Sequence, residues 1–228
     1  MHVSTCDYAV WDMKSYWSDH NRIIGQCLVS PCERVFLIDI PKNASTYCRN
    51  LLSDWRLGDY LVEDVSTMQC LILLRDPIKR WLSGLGEFLT STQSKCIINE
   101  NTGIFANFIE QLVILDPHTE KQKNFIHNID TNKLTCFMVD KNQNLHNNLT
   151  SYLNTNFNMK YADIPEDIDV APWAKTLYNE TRQPELRDFF TKRLESIPGL
   201  LESLQRKYVE DYKLINYYHE LNLFYNKE

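Results

Sequence analysis

A nearly continuous apolar run passes directly into a short polar turn in this chain. The run is Val35-Phe36-Leu37-Ile38-Asp39-Ile40, and the turn is Pro41-Lys42-Asn43-Ala44-Ser45-Thr46. An apolar run of this kind predicts a strand, over about 34–40, that is covered on both faces as in a parallel sheet. After the turn, apolar residues recur at helical spacing, which predicts a helix over about 45–56 that ends near Gly58. The sequence therefore predicts a buried strand, a tight turn and a helix in direct succession.

The turn has the residue types of an anion-binding site. Main-chain N–H groups at the start of a helix have no acceptor within the helix, so they point at whatever lies above the turn. Lys42 adds a positive charge, and the hydroxyls of Ser45 and Thr46 add hydrogen-bond donors. An ordinary strand-to-helix connection is the alternative if the turn is considered alone. The composition of the turn favours a phosphate ester as its ligand.

A second strand end further along the chain carries a similar set of groups. Cys70-Leu71-Ile72-Leu73-Leu74 is wholly apolar and predicts another parallel strand. In the following residues, Asp76 is suited to a helix N-cap and Pro77 to the first helical position. Ligands of open parallel sheets bind at the carboxyl ends of strands, so Arg75 and Ser83 are candidates for holding a second phosphate. Two such strand ends predict a ligand with phosphates at two separate positions.

The rest of the chain continues the alternation of strands and helices. A third strand is predicted over 134–139, and apolar residues at helical spacing predict helices over 104–113 and through 201–215. An Asn-rich stretch and a Pro-containing loop are expected over 141–172. The pattern and the length of 228 residues predict one α/β domain with a parallel sheet. We assign it to residues 33–228, preceded by a segment over 1–32 that covers part of the core.

Charge and cysteine usage narrow the function classes. The net charge of −6 argues against a basic surface for nucleic acid, and no apolar run approaches the length that a membrane span needs. The seven cysteines stand singly, without a CxxC pair or zinc spacing, so we expect reduced thiols and no metal centre. The first residues show neither a basic nor an apolar signal-peptide region. Together these features predict a cytoplasmic protein without a membrane span.

Four stretches resemble motifs of the sulfotransferases that use 3′-phosphoadenosine 5′-phosphosulfate (PAPS). The turn over 41–46 is similar to the family's 5′-phosphosulfate loop, and residues 75–83, RDPIKRWLS, are similar to its 3′-phosphate motif, RDPxxRxxS. Residues 116–122, DPHTEKQ, are similar to the D-x-H-x-x-x-Q segment of the carbohydrate branch, which includes Golgi-type and microbial enzymes. Residues 208–212, YVEDY, are similar to the Y-x-x-D-Y helix of that branch. The resemblance spans about residues 33–218 and implies a P-loop-NTPase-like parallel sheet flanked by helices, with a helical C-terminus.

The resemblance implies in-line transfer of a sulfuryl group to a hydroxyl acceptor, a glycan or a small molecule. The donor would be PAPS, the product 3′,5′-ADP (PAP), and no metal would be needed. Lys42 would stabilise the leaving 5′-phosphate, the rest of the turn would hold that phosphate, and Arg75 and Ser83 would hold the 3′-phosphate. The cofactor-binding residues implied are Lys42, Asn43, Ala44, Ser45, Thr46, Arg75 and Ser83.

The catalytic base implied by the resemblance is His118, because an imidazole titrates near neutral pH and this one lies in the matched motif. Glu63 and Asp64 are the alternative, since acidic bases occur in the family soon after the phosphosulfate loop. We expect Arg80 to be structural, and we expect residues 208–212 to pack the last helix onto the sheet.

Two other functions stay open at this point. A P-loop-type nucleotide kinase would also bind phosphates, but its GxxxxGK[ST] sequence is absent. A non-catalytic module that binds PAP or PAPS would keep the fold without turnover. The intact set of Lys42, Ser45, Arg75 and Ser83 argues against that alternative.

Overall fold

The computed structural model describes residues 26–59, 67–91, 118–126, 129, 133–139, 145–162, 183–221 and 223–225. Within them, a mixed five-stranded sheet is flanked by six α-helices, which confirms the predicted α/β class. The strands are β1 (Gln26–Val29), β2 (Val35–Asp39), β3 (Arg56–Asp59), β4 (Gln69–Arg75) and β5 (Leu134–Val139). The α-helices are α1 (Ser45–Leu51), α2 (Pro77–Ser91), α3 (Leu145–Phe157), α4 (Gln183–Ser196), α5 (Leu200–Lys207) and α6 (Val209–Glu220). A 3-10 helix covers Gln122–Ile126.

The sheet combines three parallel strands with an antiparallel arrangement at one side. The strand order is β3-β1-β2-β4-β5, in which β2, β4 and β5 run parallel and β1 runs antiparallel to both of its neighbours. The three parallel strands lie within one residue of the predicted positions, because each is an apolar run that the layers above and below bury. The parallel sheet is therefore confirmed for these strands, and β1 is the departure from it.

Two strands lie where the sequence predicts other structure. β1 falls within residues 1–32, yet it pairs with β2 and β3, so the sheet begins before residue 33. The helix predicted to reach residue 56 ends at Leu51 instead, and Gly58 lies inside β3. Trp55 follows the helix in a turn, where its Nε1 donates to the hydroxyl of Tyr161 at 2.9 Å. This contact and the pairing of β3 with β1 hold the chain out of a helix, and neither is visible in local sequence.

Apolar side chains cover both faces of the sheet. The first face packs against α1 and α3, and the residues that these helices contribute are Cys48, Leu149 and Leu153. The second face packs against the 3-10 helix and α6, which contribute Phe125, Ile126, Leu214, Ile215 and Tyr218. A separate cluster joins α2, α4 and α5 through Trp81, Leu85, Phe190, Leu194 and Leu204. The sheet is thus held between two layers, which leaves its carboxyl edge to form a site.

The C-terminal half departs from the prediction in two places. Residues 145–157 form α3, so the expected Asn-rich loop is wrong there. Its buried face explains this, because Leu149 and Leu153 are 0% exposed and the packing overrides the low helix propensity of asparagine. The predicted C-terminal helical stripe is divided at Tyr208 into α5 and α6. The helix predicted over 104–113 lies outside the described residues.

Among the helices that the structure describes, none combines the length and the apolar character that crossing a bilayer would require.

Candidate functional site

The turn after β2 has a main-chain conformation that is uncommon for its residue types. Lys42 and Ala44 have φ angles of 68° and 61°, although neither is glycine. Such a residue costs on the order of 1–3 kcal/mol, so surrounding contacts have to hold it in place. Alternation of left-handed residues with ordinary ones also occurs in loops whose N–H groups surround an anion. The strain marks this turn as a candidate functional site.

Asn43 is turned into the protein. Its side chain is 2% exposed, and Nδ2 donates to the carbonyl oxygen of Leu73 and to Oε1 of Gln122, both at 2.6 Å. Its main-chain N–H donates to the carbonyl oxygen of Ile40 at 3.1 Å. The sequence predicts this N–H as a phosphate ligand, whereas the structure uses it to close the turn. Asn43 therefore supports the turn from below.

The remaining residues of the turn lie at the protein surface. Lys42, Ala44 and Ser45 are partly exposed and Thr46 is exposed. The first hydrogen bond of α1 runs from the Cys48 N–H to the Ala44 carbonyl at 2.9 Å. Ala44 precedes α1 without a side-chain oxygen that could cap the helix. These residues are accessible to a ligand from solution.

Arg75 brings the second predicted strand end against the first. It is the last residue of β4, which lies beside β2 in the sheet, and its Nη1 donates to the carbonyl oxygen of Lys42 at 2.9 Å. The two candidate phosphate-binding motifs are thus in direct contact. A guanidinium carries five N–H donors in a planar fork, so one side chain can hold this carbonyl and also meet an anion.

The start of α2 is as the sequence predicts. Asp76 caps the helix, since its Oδ1 accepts the Lys79 N–H at 2.8 Å. Ser83 lies one turn after Arg80, and the two side chains are 7% and 1% exposed. The structure therefore places Ser83 on the inner side of α2, one helical turn from Arg80.

Arg80 joins the turn after β2 to the segment around Glu120. Its Nε donates to the carbonyl oxygen of Pro41 at 2.9 Å, and its Nη1 donates to the carbonyl oxygen of Glu120. The guanidinium also lies over the ring of Phe125, 5.8 Å from its centroid. Burial lowers the pKa of Arg80 to about 10, against the opposing effect of nearby groups such as Asp211, so the side chain stays charged at neutral pH. These contacts give Arg80 a structural role, as expected from the sequence.

The two stretches that resemble the carbohydrate branch meet in the structure. The carboxylate of Asp211 on α6 accepts the N–H groups of Gln122 and Lys123, each at 2.9 Å. The hydroxyl of Tyr208 donates to the carbonyl oxygen of Thr119. Tyr208 and Asp211 are 0% and 1% exposed, and burial raises the pKa of Asp211 against the effect of its two N–H donors. Residues expected to pack the last helix onto the sheet therefore also hold the segment over 118–126.

Gln122 connects this segment to both strand ends. Its Oε1 accepts the Arg75 N–H at 2.9 Å and Nδ2 of Asn43 at 2.6 Å, and its Nε2 donates to the Arg75 carbonyl at 2.8 Å. The amide is 0% exposed. Sequence reasoning gave Gln122 no role, because its partners lie 47 and 79 residues away. Its place in a matched motif was the one signal that could have identified it.

His118 lies at the start of the same segment and is partly exposed. Its main chain packs against Gly84 of α2 so closely that a Cβ on that glycine would lie 2.1 Å from the His118 carbonyl oxygen. Gln122 and Arg80 bind this segment to the turn, so the residues that follow His118 lie at the same carboxyl edge of the sheet as Lys42. The alternative bases, Glu63 and Asp64, lie outside the described residues.

The ring of His146 is buried and hydrogen-bonded. Its Nε2 donates to the Ala162 carbonyl at 2.8 Å, and its Nδ1 lies 2.5 Å from the Tyr47 hydroxyl. The described cysteines, Cys27, Cys32, Cys48, Cys70 and Cys136, are free thiols. Across the same part of the chain, no group of three or more His, Cys, Asp and Glu side chains is arranged to hold a metal ion.

In comparisons with known proteins, no family model, no curated protein and no solved structure matches this chain.

Proposed function

We propose that this chain is a sulfotransferase that moves the sulfuryl group of PAPS to a hydroxyl acceptor, with a carbohydrate as the favoured acceptor class. The observation that carries the proposal is the bond from Arg75 to the carbonyl oxygen of Lys42. It joins the residues that resemble the 5′-phosphosulfate loop to those that resemble the 3′-phosphate motif. PAPS carries phosphates at two separate positions, whereas the phosphates of ATP form one chain. Two adjoining strand ends with separate phosphate-binding groups suit the first ligand better.

A second observation supports the carbohydrate branch. Residues 116–122 and residues 208–212 are the two stretches that resemble motifs of that branch. Two hydrogen bonds, each across 89 residues, join them, and the N–H of the adjacent Lys123 adds a third bond to Asp211 across 88 residues. The same segment is bonded to the turn and to Arg75 through Gln122. Four stretches chosen for their resemblance to one family therefore form one contiguous group.

The proposed fold type is that of the P-loop NTPases. Its support is the order of β2, turn and α1, with β4 parallel to β2 beside it. The lack of the glycine frame distinguishes the turn from the usual phosphate loop of that fold. The free thiols of the described cysteines support the proposed reducing, cytoplasmic location.

Each residue has a defined task in the proposed reaction. PAPS, when bound, supplies the sulfuryl group. Lys42 stabilises the charge that develops on the leaving 5′-phosphate, and His118 accepts the proton of the attacking hydroxyl. Arg75 holds the 3′-phosphate with its planar fork of donors, and Ser83 adds a hydroxyl. The products are a sulfate ester and PAP.

A thermal-unfolding comparison with PAP, ATP and 5′-AMP tests the proposal. A ligand at about 100 times its Kd adds about 2.7 kcal/mol to the free energy of unfolding. We expect PAP to stabilise the protein at concentrations at which 5′-AMP and ATP do not. Stabilisation by ATP without stabilisation by PAP would contradict the proposal and favour a nucleotide kinase.

Transfer of sulfate from PAPS to a panel of sugars, oligosaccharides and phenols is the second measurement. Sulfation of sugar hydroxyls is the expected result. PAP binding without transfer to any member of the panel would favour the non-catalytic alternative.

A further inference from the structure

The end of β4 extends beyond the strand beside it. β2 pairs with β4 only as far as Ile38 and Ile72, after which its chain turns away from β4 toward the turn. β4 continues to Arg75. The main-chain groups on the side of β4 that β2 has left need other partners, because buried N–H and C=O groups are costly to leave unpaired.

Two side-chain amides take the place of the missing strand. Nδ2 of Asn43 donates to the Leu73 carbonyl at 2.6 Å. The amide of Gln122 then pairs with both polar main-chain groups of Arg75, accepting from its N–H at 2.9 Å and donating to its carbonyl at 2.8 Å. A primary amide presents a donor and an acceptor side by side, as a strand residue does. These pairings fix which end of the Gln122 side chain is oxygen.

The amide of Gln122 is itself held firmly. Its Oε1 also accepts Nδ2 of Asn43, and its main-chain N–H donates to Asp211 at 2.9 Å. Gln122 therefore contacts the turn and the end of β4 through its side chain, and α6 through its main chain. The Gln122 amide binds both the N–H and the carbonyl of Arg75, so it fixes the main chain from which the Arg75 side chain starts. The direction of the guanidinium therefore depends on this amide.

We propose that Gln122 is a positioning residue that sets the orientation of Arg75 relative to the turn over 41–46, and so the preference of the site for a ligand with two separate phosphates. The inference rests on the proposed function for the identity of that ligand. It predicts that Gln122 controls discrimination between PAP and 5′-AMP, which differ in the 3′-phosphate alone.

The test compares Gln122→Met with Gln69→Met. Methionine keeps the length of the side chain and removes both hydrogen-bonding groups. Gln69 is a matched control, since its Nε2 donates to the Lys133 carbonyl and the Thr135 hydroxyl, each at 3.1 Å, at the opposite end of β4. The readout is the ratio of the Kd for 5′-AMP to the Kd for PAP, measured by calorimetry. We expect the ratio to fall by about tenfold in Gln122→Met and to stay unchanged in Gln69→Met.

Gln122→Glu separates positioning from loss of packing. The carboxylate keeps the acceptor for the Arg75 N–H but faces the Arg75 carbonyl with an oxygen, and protonation restores a donor there. We therefore expect the PAP preference of this variant, relative to wild type at the same pH, to recover as the pH is lowered. The same measurements on wild type at each pH correct for titration of the PAP phosphates. They also correct for titration of the charged neighbours, which are Asp211, Arg80, Glu120 and Lys123.

The two possible failures are distinguishable. A wild-type protein that binds PAP no better than 5′-AMP would overturn the proposed function. A wild-type preference for PAP that Gln122→Met leaves unchanged would overturn the role of Gln122 alone. The role of Gln122 would also be overturned if Gln122→Glu lost the preference for PAP at every pH and lost folded protein in parallel. That result would show that Gln122 contributes to packing and does not position Arg75.

Discussion

Nη1 of Arg75 donates to the carbonyl oxygen of Lys42 at 2.9 Å. The side chain of one residue proposed to bind phosphate is therefore hydrogen-bonded to the main chain of the other. Lys42 has a φ of 68°, and this bond helps to hold it in that strained conformation. The turn after β2 and the end of β4 consequently form a single unit. A change in either residue is expected to affect the geometry of both.

Lys42→Ala should reduce sulfate transfer by about 10²–10³-fold, because it removes a charge that is needed most when the 5′-phosphate leaves. PAP binding should weaken far less, since the main chain of the turn is retained. The measurement is kcat with PAPS beside the Kd for PAP. Lys79→Ala is the control, as Lys79 is an exposed lysine on α2. Transfer at the wild-type rate in Lys42→Ala would contradict the role of Lys42.

Arg75→Ala should weaken the binding of PAP by about 10- to 100-fold more than the binding of 5′-AMP, because hydrogen bonds to a charged group are worth about 1.5–3 kcal/mol. Arg75→Lys should restore only part of the loss, since a single ammonium cannot replace the planar fork that reaches both the Lys42 carbonyl and a phosphate. Isothermal titration of both ligands gives the comparison. Equal losses for PAP and 5′-AMP would exclude a 3′-phosphate role.

Gly84→Ala should disturb the site from a distance. The added Cβ would lie 2.1 Å from the carbonyl oxygen of His118 and 2.6 Å from its carbon, so α2 and the segment that carries His118 would have to separate. We expect a loss of about 1–3 kcal/mol in the free energy of unfolding, measured in urea, together with weaker PAP binding. Gly58→Ala is the control, because its Cβ would meet only the end of the Arg56 side chain, at 3.4 Å. Wild-type stability in Gly84→Ala would show that the contact is absent in solution.

Asp211→Asn should change the pH dependence of stability. Burial raises the pKa of Asp211 above its ordinary value of 3.8, so the folded protein binds this proton more tightly than the unfolded chain. Its contribution is fully present below the ordinary value and is lost as the pH rises through the raised pKa. The free energy of unfolding of wild type minus that of the variant should therefore fall as the pH rises from below 3.8 through the raised pKa. A difference that is constant or rises over this range would contradict the shift, and Asp188→Asn on the exposed side of α4 provides the baseline.

The parallel strands could be predicted from sequence because each buried strand is a short, nearly continuous run of apolar residues. The start of α2 was equally predictable, since Asp76 and Pro77 act on their own neighbours. β3 and α3 were not predictable in this way. β3 contains Arg56 and Asp59 and depends on pairing with β1, and α3 is rich in asparagine and depends on burial of its leucines. Tertiary contacts decide the structure of both.

The same distinction applies to the candidate site. Lys42, Arg75 and Ser83 could be proposed from sequence because their residue types follow strand ends or lie in a matched motif. The roles of Asn43 and Gln122 could not, since a polar side chain that is used inside the protein looks the same in sequence as one that faces a ligand. The hydrogen bonds of their side chains join residues up to 79 positions apart.

The contact between Asp211 and Gln122 also has a consequence for folding during synthesis on the ribosome. The segment over 118–126 is synthesised well before α6, so the N–H groups of Gln122 and Lys123 first emerge without the Asp211 carboxylate that later binds them. Contacts between distant parts of a chain form late, since loop closure has to precede them. We therefore expect nascent chains that end before residue 209 to lack a competent site. Phosphate binding would begin only when the last helix has docked.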